Sequence, residues 1–281
     1  MTRRSPIRLA VFGGAAVAAA MALVAIVSSD RDEADTSDRW RVGQANLAGW
    51  AAYSGSLEAG THLADAVLDL DLHVVGVAEA CQQQLEQAKR HLAQRGPVEV
   101  LFHRTVPPDQ PLPFGAANDD ECVYGLGLIV RGPLALADVS SSELPTLDGD
   151  PGGFDREEDR HVVCGRVAEP DESSASLLTC TTHFTRLMAV DERRRMQAEH
   201  LVSSVEALAG RGAPALVLGD LNARAGSPDL EPVYASGFRD VGAGDSRDHI
   251  LVRDLETSVL RTRALGRSDH QLIWTAVAPP G

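Results

Sequence analysis

Several strand-length apolar runs in this chain stop on residues that a core does not accept unaided, and this constrains the fold more than any other feature. "WRVGQAN" (40–46) closes on Asn46 and "HVVGVAE" (73–79) on Glu79. The segment 176–183 closes on His183, and "APALVLGD" (213–220) on Asp220 with Asn222 just beyond. Two further runs begin on such residues, Asp248-His249 before "ILVR" and Asp269-His270 before "QLIWTAVA". Asp and Asn are poor strand formers, and a buried charge needs a partner. Taken singly, each has a plain explanation in a turn, a solvated end or a satisfied structural histidine. Taken together, they are explained if the strand ends converge on one mouth. An apolar ligand needs no such set of carboxylates, amides and imidazoles; a divalent cation and a phosphate do.

The rest of the chain is consistent with a stack of sheets. Strands are expected at 98–104, 123–130, 160–168 and 258–264, and helices at 56–70, 82–96 and about 190–209. Ala198, Leu201, Val202, Val205 and Leu208 share one face of the last helix. Residues 105–122 and 142–159, rich in Pro, Gly and acids, read as a loop and an exposed insertion. Many strands with few helices predict an α+β fold, two sheets packed face to face with helices outside. There is no GxSxG, HExxH or phosphate-binding GxxxxGK[ST].

The first 29 residues stand apart. Arg3, Arg4 and Arg8 precede a long uncharged, Ala-rich stretch, the pattern of an export signal peptide or of an uncleaved membrane anchor. Residues 30–38 read as an acidic spacer, and 39–281 as the folded domain. The body is expected outside the cytoplasm, secreted or anchored. Four cysteines in an oxidising compartment suggest two disulfides. "HVVCGRV" and "LLTCTTH" alternate like the strands of a hairpin, so Cys164 pairs with Cys180, leaving Cys81 for Cys122. A metal site is the rival reading, but no CxxC pair exists.

Formal charge is −14 over 281 residues. That excludes a long-range basic field for nucleic acid, though a metal ion can still neutralise phosphate locally. Arg193–Arg195 reads as a solvated helix face. Arg160, opening a strand, reads as an exposed edge residue, the alternative being that it faces a phosphate. His62, His73, His91, His103, His161 and His200 have no ligand-like grouping and read as structural or surface residues.

Glu79 suits a hard cation, and His270 with Asp248 or Asp269 could form an acid-oriented imidazole. Amides such as Asn46 and Asn222 can donate to a phosphate as its charge builds.

"QAN" (44–46), "GVAE" (76–79), "TTHF" (181–184), "LGDLNA" (218–223), "RDHILV" (247–252) and "RSDHQLIW" (267–274) resemble, in this order, the endonuclease/exonuclease/phosphatase superfamily, the deoxyribonuclease-like group. "DERRRMQAEHLV" resembles the helix that follows the histidine strand in that family, with Arg194 and Gln197 placed as in its members. The resemblance covers 40–278 and implies two packed mixed β-sheets flanked by helices, a four-layer αββα sandwich. It implies that Glu79 holds Mg²⁺ or Mn²⁺ with Asn46 and Asp269 nearby, and that His270 relays a proton, oriented by Asp248. Asp220 and Asn222 would position nucleophile and phosphate, with His183 also on the phosphate. Two positions depart from the family: Ala78 stands where Gln is common, and Leu221 where Phe is usual.

The implied activity is hydrolysis of a phosphodiester by an exported, monomeric metal-dependent enzyme, a nuclease or broad phosphodiesterase. A phosphoesterase for phospholipid or inositol phosphate is the alternative. A non-catalytic binding module keeping the fold is another, as is a surface-anchored scaffold.

Overall fold

A computed structural model describes residues 39–48, 55–106, 122–145, 158–170, 176–186, 191–241 and 246–278. The segments 1–29 and 30–38, most of the 105–122 loop and most of the 142–159 insertion lie outside these residues. Among the described residues, no helix is long and apolar enough to cross a membrane.

The elements follow in the order β1 (Trp40–Asn46), α1 (Leu57–Asp69), β2 (Val74–Cys81), α2 (Gln82–Leu92), β3 (Val98–Arg104), β4 (Tyr124–Arg131), β5 (Ala135–Glu143), β6 (His161–Ala168) and β7 (Leu177–His183). Then come α3 (Asp191–Ala209), β8 (Ala215–Asp220), a 3-10 turn (Pro228–Leu230), α4 (Glu231–Ala235), β9 (Arg239–Asp240), β10 (Asp248–Arg253), β11 (Arg261–Ala264) and β12 (Gln271–Val277). They build two six-stranded mixed sheets, ordered β11-β12-β1-β2-β4-β3 and β5-β6-β7-β8-β10-β9.

Strand alternation sorts the side chains into layers. On the outer face of the first sheet, Ala45, Val75, Val77 and Ile129 pack with Leu63 and Val67 of α1 and with Leu85 and Ala88 of α2. On the outer face of the second, Val162, Leu178, Val217 and Leu251 pack with Ala198, Leu201 and Val205 of α3. Between the sheets lie Val42, Val74, Leu128, Leu216, Leu218, Ile250 and Ile273. The fold is thus the expected helix–sheet–sheet–helix sandwich.

The sheets approach closely at Gly76, where a Cβ would meet Leu218 Cβ at 2.5 Å and Gln44 Oε1 at 2.8 Å. Beyond that point the inter-sheet layer turns polar. Following Val42 on the same face are Gln44 and Asn46; following Leu216 and Leu218 is Asp220; preceding Ile250 is Asp248. The polar strand ends are therefore one end of the layer whose other end is the apolar core.

Both expected disulfides form, Cys81–Cys122 and Cys164–Cys180. The second joins directly opposed residues of the β6–β7 ladder. Three expectations need correction. β5 was not anticipated: its exposed, Ser-rich sequence lacks an apolar face, and pairing with β6 makes it a strand. The strand expected over 258–264 is regular only at 261–264, with a single bridge from Thr257 to Val277 before it. In the run Arg193–Arg195 only Arg195 is exposed; Arg193 and Arg194 are buried, and Arg194 binds Asp229 of the 3-10 turn.

Candidate active site

The register brings the acids together. β7 and β8 run parallel with His183 opposite Asp220, and β8 and β10 run antiparallel with Asp220 opposite Asp248. In the first sheet β1 and β2 run parallel, so Asn46 lies opposite Ala78, next to Glu79.

Glu79 reaches the site by a backbone irregularity. The β2–β4 ladder shifts register between Val77 and Ala80, and Glu79 has φ +51°. Left-handed backbone is costly for a residue with a side chain and concentrates at functional sites. Val77 and Ala80 both pack on the helix-facing side while Ala78 faces inward, so the extra residue in the bulge frees Glu79 from the strand's alternation. Asn222, just past β8, is likewise left-handed at φ +49°.

Asn46 is fully buried and joins the two sheets chemically. Its Nδ2 donates to Glu79 Oε1 and to Asp220 Oδ2, both at 3.1 Å. Its Oδ1 accepts from the Ala48 N–H at 2.8 Å. Asn46 thus serves the carboxylates as a donor, while its Oδ1 accepts from the backbone.

Among the described residues, two sets of side chains have ligand atoms within 4.8 Å of one another: Glu79, His183 and Asp220, and Asp220, Asp248 and His270. Asp220 belongs to both. Carboxylates this close repel one another when ionised, and a hard divalent ion is the partner such an oxygen-rich set accepts. The residues fit Mg²⁺ or Mn²⁺, with Glu79 and Asp220 as the carboxylates that would hold it. Asp269 is exposed and outside both sets, acting on His270 through its charge.

His270 Nδ1 lies 2.6 Å from Asp248 Oδ2. Burial lowers the basicity of His270, but the hydrogen bond and charge of Asp248, with Asp220 behind it, raise its pKa to about 9. Burial, then repulsion from Asp220, pushes the Asp248 carboxyl up against the pull of His270. The pair shares one proton at neutral pH, held on the imidazole. Gln44 Nε2 approaches the other Asp248 oxygen at 3.5 Å.

His183 is oriented from behind by a group the sequence does not announce. Arg160 Nη1 donates to His183 Nδ1 at 2.7 Å and pairs with Glu158 Oε2 at 3.0 Å. A guanidinium only donates, so Nδ1 is the acceptor in this contact, and the ring turns its other nitrogen, Nε2, into the site. That nitrogen faces Glu79 Oε1 at 3.6 Å and Asp220 Oδ2 at 4.0 Å. Asn222 Nδ2, 3.1 Å from Nε2, donates to Phe184 O at 2.9 Å. Burial would raise the Glu158 carboxyl, but Arg160 and His183 hold it below the usual range. Arg160 is thus buried, not an exposed edge residue. Glu158 was missed because it lies within an acidic run that reads as solvated surface.

Behind the site, His249 Nδ1 lies 2.6 Å from Asp240 Oδ2 and its Nε2 lies 2.9 Å from Ala223 O. Burial opposes charge on this ring, but Asp240 and the Ala223 carbonyl raise its pKa. Both nitrogens face acceptors, so a buried imidazolium tethers the turn that carries Asp220 and Asn222.

Comparison with known proteins agrees with this geometry. The chain matches the Endonuclease/Exonuclease/phosphatase family over residues 44–270. No curated protein sequence matches it. Among solved structures, the endonuclease/exonuclease/phosphatase from Bacteroides vulgatus superposes with TM-score 0.66 at 16% identity, covering 86% of this chain and 99% of that one. The human Nocturnin catalytic domain with bound sulfate anion gives 0.66 at 14% identity, covering 86% and 94%. The mannosyl-6-phosphatase of Bacteroides thetaiotaomicron gives 0.61 at 17% identity, covering 85% and 99%. At these identities the structural likeness establishes the fold. The family match takes in every strand end in the site, from Asn46 to His270, and with it the chain belongs to the Endonuclease/Exonuclease/phosphatase family, hydrolases of phosphate esters.

Proposed function

We propose that this protein is an exported, divalent-metal-dependent phosphodiesterase, acting as a monomer on a nucleic acid or another phosphodiester. The observation that carries the reading is the pair of side-chain sets that share Asp220. One holds carboxylates for a cation, the other a histidine with its own proton.

When bound, Mg²⁺ or Mn²⁺ would supply neutralisation of charge on the phosphate oxygens. The chain's own residues do the rest. Asn46 holds Glu79 and Asp220 at a fixed separation through one amide nitrogen. His183 turns its Nε2 toward the same space, beside Glu79 and Asp220 and within reach of a phosphate oxygen. Asn222 lies beside it, its backbone N–H donating to Asp220 Oδ1 at 2.9 Å and locking that carboxylate's rotamer. The other Asp220 oxygen, Oδ2, accepts from Asn46 and keeps a further lone pair for a cation or a water. His270, protonated and held by Asp248, is placed to give a proton to a leaving oxygen or to relay one from attacking water. All these groups come from one chain.

Export is supported by the basic, then apolar, first 29 residues and by two disulfides that leave no free cysteine among the described residues.

The test is hydrolysis of bis(p-nitrophenyl) phosphate by the oxidised protein with Mg²⁺ or Mn²⁺, then with EDTA, beside Glu79→Ala. The expected result is activity that needs both the metal and Glu79. A folded, disulfide-bonded protein equally active with EDTA or without Glu79 would overturn the reading.

A further inference from the structure

The two imidazoles of the site are backed by acids in different ways. His270 Nδ1 meets the Asp248 carboxylate directly, at 2.6 Å. Behind His183 a guanidinium stands between acid and ring. Arg160 Nη1 lies 2.7 Å from His183 Nδ1 and 3.0 Å from Glu158 Oε2, while Glu158 Oε1 is 3.7 Å from the same Nδ1. The hydrogen bond on Nδ1 is thereby reversed. A carboxylate accepts, which makes Nδ1 a donor; a guanidinium donates, which makes Nδ1 the acceptor.

Glu158, Arg160 and His183 are each at most 5% exposed. Glu158 is itself held. Its Oε1 accepts from Thr105 Oγ1 at 3.1 Å, and the neighbouring Asp159 N–H donates to Thr105 O at 2.7 Å. The Thr105 N–H donates in turn to Tyr124 O at 3.0 Å, where β4 begins. Thr105 follows β3 of the first sheet, Arg160 precedes β6 of the second, and His183 ends β7. The chain of contacts therefore crosses from one sheet to the other and stops on the imidazole.

Stability alone does not account for this arrangement. Desolvating two charges is costly, and a well-packed apolar pair in their place is often no less stable. What the pair supplies is direction. A guanidinium is a rigid planar fork, so an acid that fixes it also fixes where its donors point. With Nδ1 held from behind, the ring turns Nε2 toward Glu79 Oε1 at 3.6 Å and Asp220 Oδ2 at 4.0 Å.

We propose that Glu158 and Arg160 are positioning residues of this site: the arginine, held by the acid, keeps His183 Nδ1 an acceptor and so fixes Nε2 toward the phosphate. Both act through His183 alone. The phosphate in this statement rests on the phosphodiesterase reading; the reversed hydrogen bond does not. Removing the arginine by itself brings Glu158 against Nδ1 and converts His183 to the direct acid–imidazole arrangement of Asp248 and His270.

The experiment is long-range ¹H–¹⁵N NMR of the histidine rings in the full-length, oxidised, metal-free protein, beside hydrolysis of bis(p-nitrophenyl) phosphate with Mg²⁺. In the wild type, His183 Nδ1 should be an unprotonated nitrogen that accepts a hydrogen bond. In Arg160→Met the proton should move to Nδ1, and kcat should fall about 10- to 100-fold, the scale on which a small misplacement is felt. Arg160→Lys should recover part of the loss. In a His183→Ala background, Arg160→Met should cost no further activity, because residues that act as a unit are not additive. Should Arg160→Met fail to fold with Glu158 left unpaired, Glu158→Leu/Arg160→Met removes both charges and should show the same fall in kcat. A protonated Nδ1 in the wild type, full activity in the folded Arg160 variants, or an equal loss with and without the His183 ring would overturn the proposal. An acceptor Nδ1 in a wild type that hydrolyses no phosphodiester would overturn the phosphodiesterase reading and uphold the reversed hydrogen bond.

Discussion

His270 Nδ1 sits 2.6 Å from Asp248 Oδ2, and Asp248 stands directly opposite Asp220 in the β8–β10 ladder. A histidine so placed binds its proton more tightly folded than unfolded. Its pKa is raised from 6.5 to about 9. The stabilisation from the pair is therefore complete below the unfolded value and is lost as pH rises through about 9. In the metal-free protein, NMR titration of the His270 ring should give a midpoint near that upper value, and Asp248→Asn should bring it down. A wild-type ring titrating at the ordinary histidine value would contradict the pairing.

Glu79 holds left-handed backbone for the sake of its side chain. Such a conformation costs on the order of 1 kcal/mol or more for a non-glycine residue. Glu79→Gly should therefore match or exceed the wild type in urea stability while losing at least about 100-fold in phosphodiester hydrolysis, the scale on which loss of an electrostatic group is felt in a site. A clear loss of stability would show that the bulge does not carry strain.

Asn46 separates two carboxylates with a single amide nitrogen. Asn46→Asp replaces that donor by a third acid. The variant should melt below the wild type without metal, and added Mg²⁺ should raise its melting temperature more than it raises the wild type's. Equal Mg²⁺ shifts in the two proteins would place the cation elsewhere.

The His249–Asp240 pair is buried, and His249 is only 1% exposed. Removing one partner leaves a buried charge, at a cost of about 3–5 kcal/mol. His249→Ala should lose that much in equilibrium urea unfolding. Because its ring also holds Ala223 O, the turn carrying Asn222 should loosen, with faster amide exchange over 221–224.

The disulfides close segments of 16 and 41 residues. Chain entropy gives about 3 kcal/mol for the first and about 4 kcal/mol for the second. Denaturation of Cys164→Ala/Cys180→Ala and Cys81→Ala/Cys122→Ala should reproduce that order. The second pair lies two residues beyond Glu79, so its removal should also lower activity; unchanged activity would mean that the bulge holds without it.

The layer pattern was legible because alternation in a strand is a local property. Val42, Gln44 and Asn46 share a face whatever the fold around them, and so do Leu216, Leu218 and Asp220. The Cys164–Cys180 bridge was legible for the same reason, from two alternating strands joined by a short loop. β5 was not, since Ser140 to Ser142 carry no apolar face and become a strand only by pairing with β6.

Residue chemistry at the strand ends determined by itself that this chain would gather acids, amides and imidazoles at one mouth, because periodicity and polarity act over a few neighbours. Only the tertiary structure decided which of them meet. Glu79 turns inward through a bulge that no local signal marks. Arg160 and Glu158, polar and beside an acidic run, become buried partners of His183 once β7 and Thr105, distant in sequence, are brought against them. His103 and His161 are 58 positions apart and touch only because two sheets stack. Burial and long-range charge pairing depend on elements distant in sequence, so the same side chain reads as surface until the second sheet is in place.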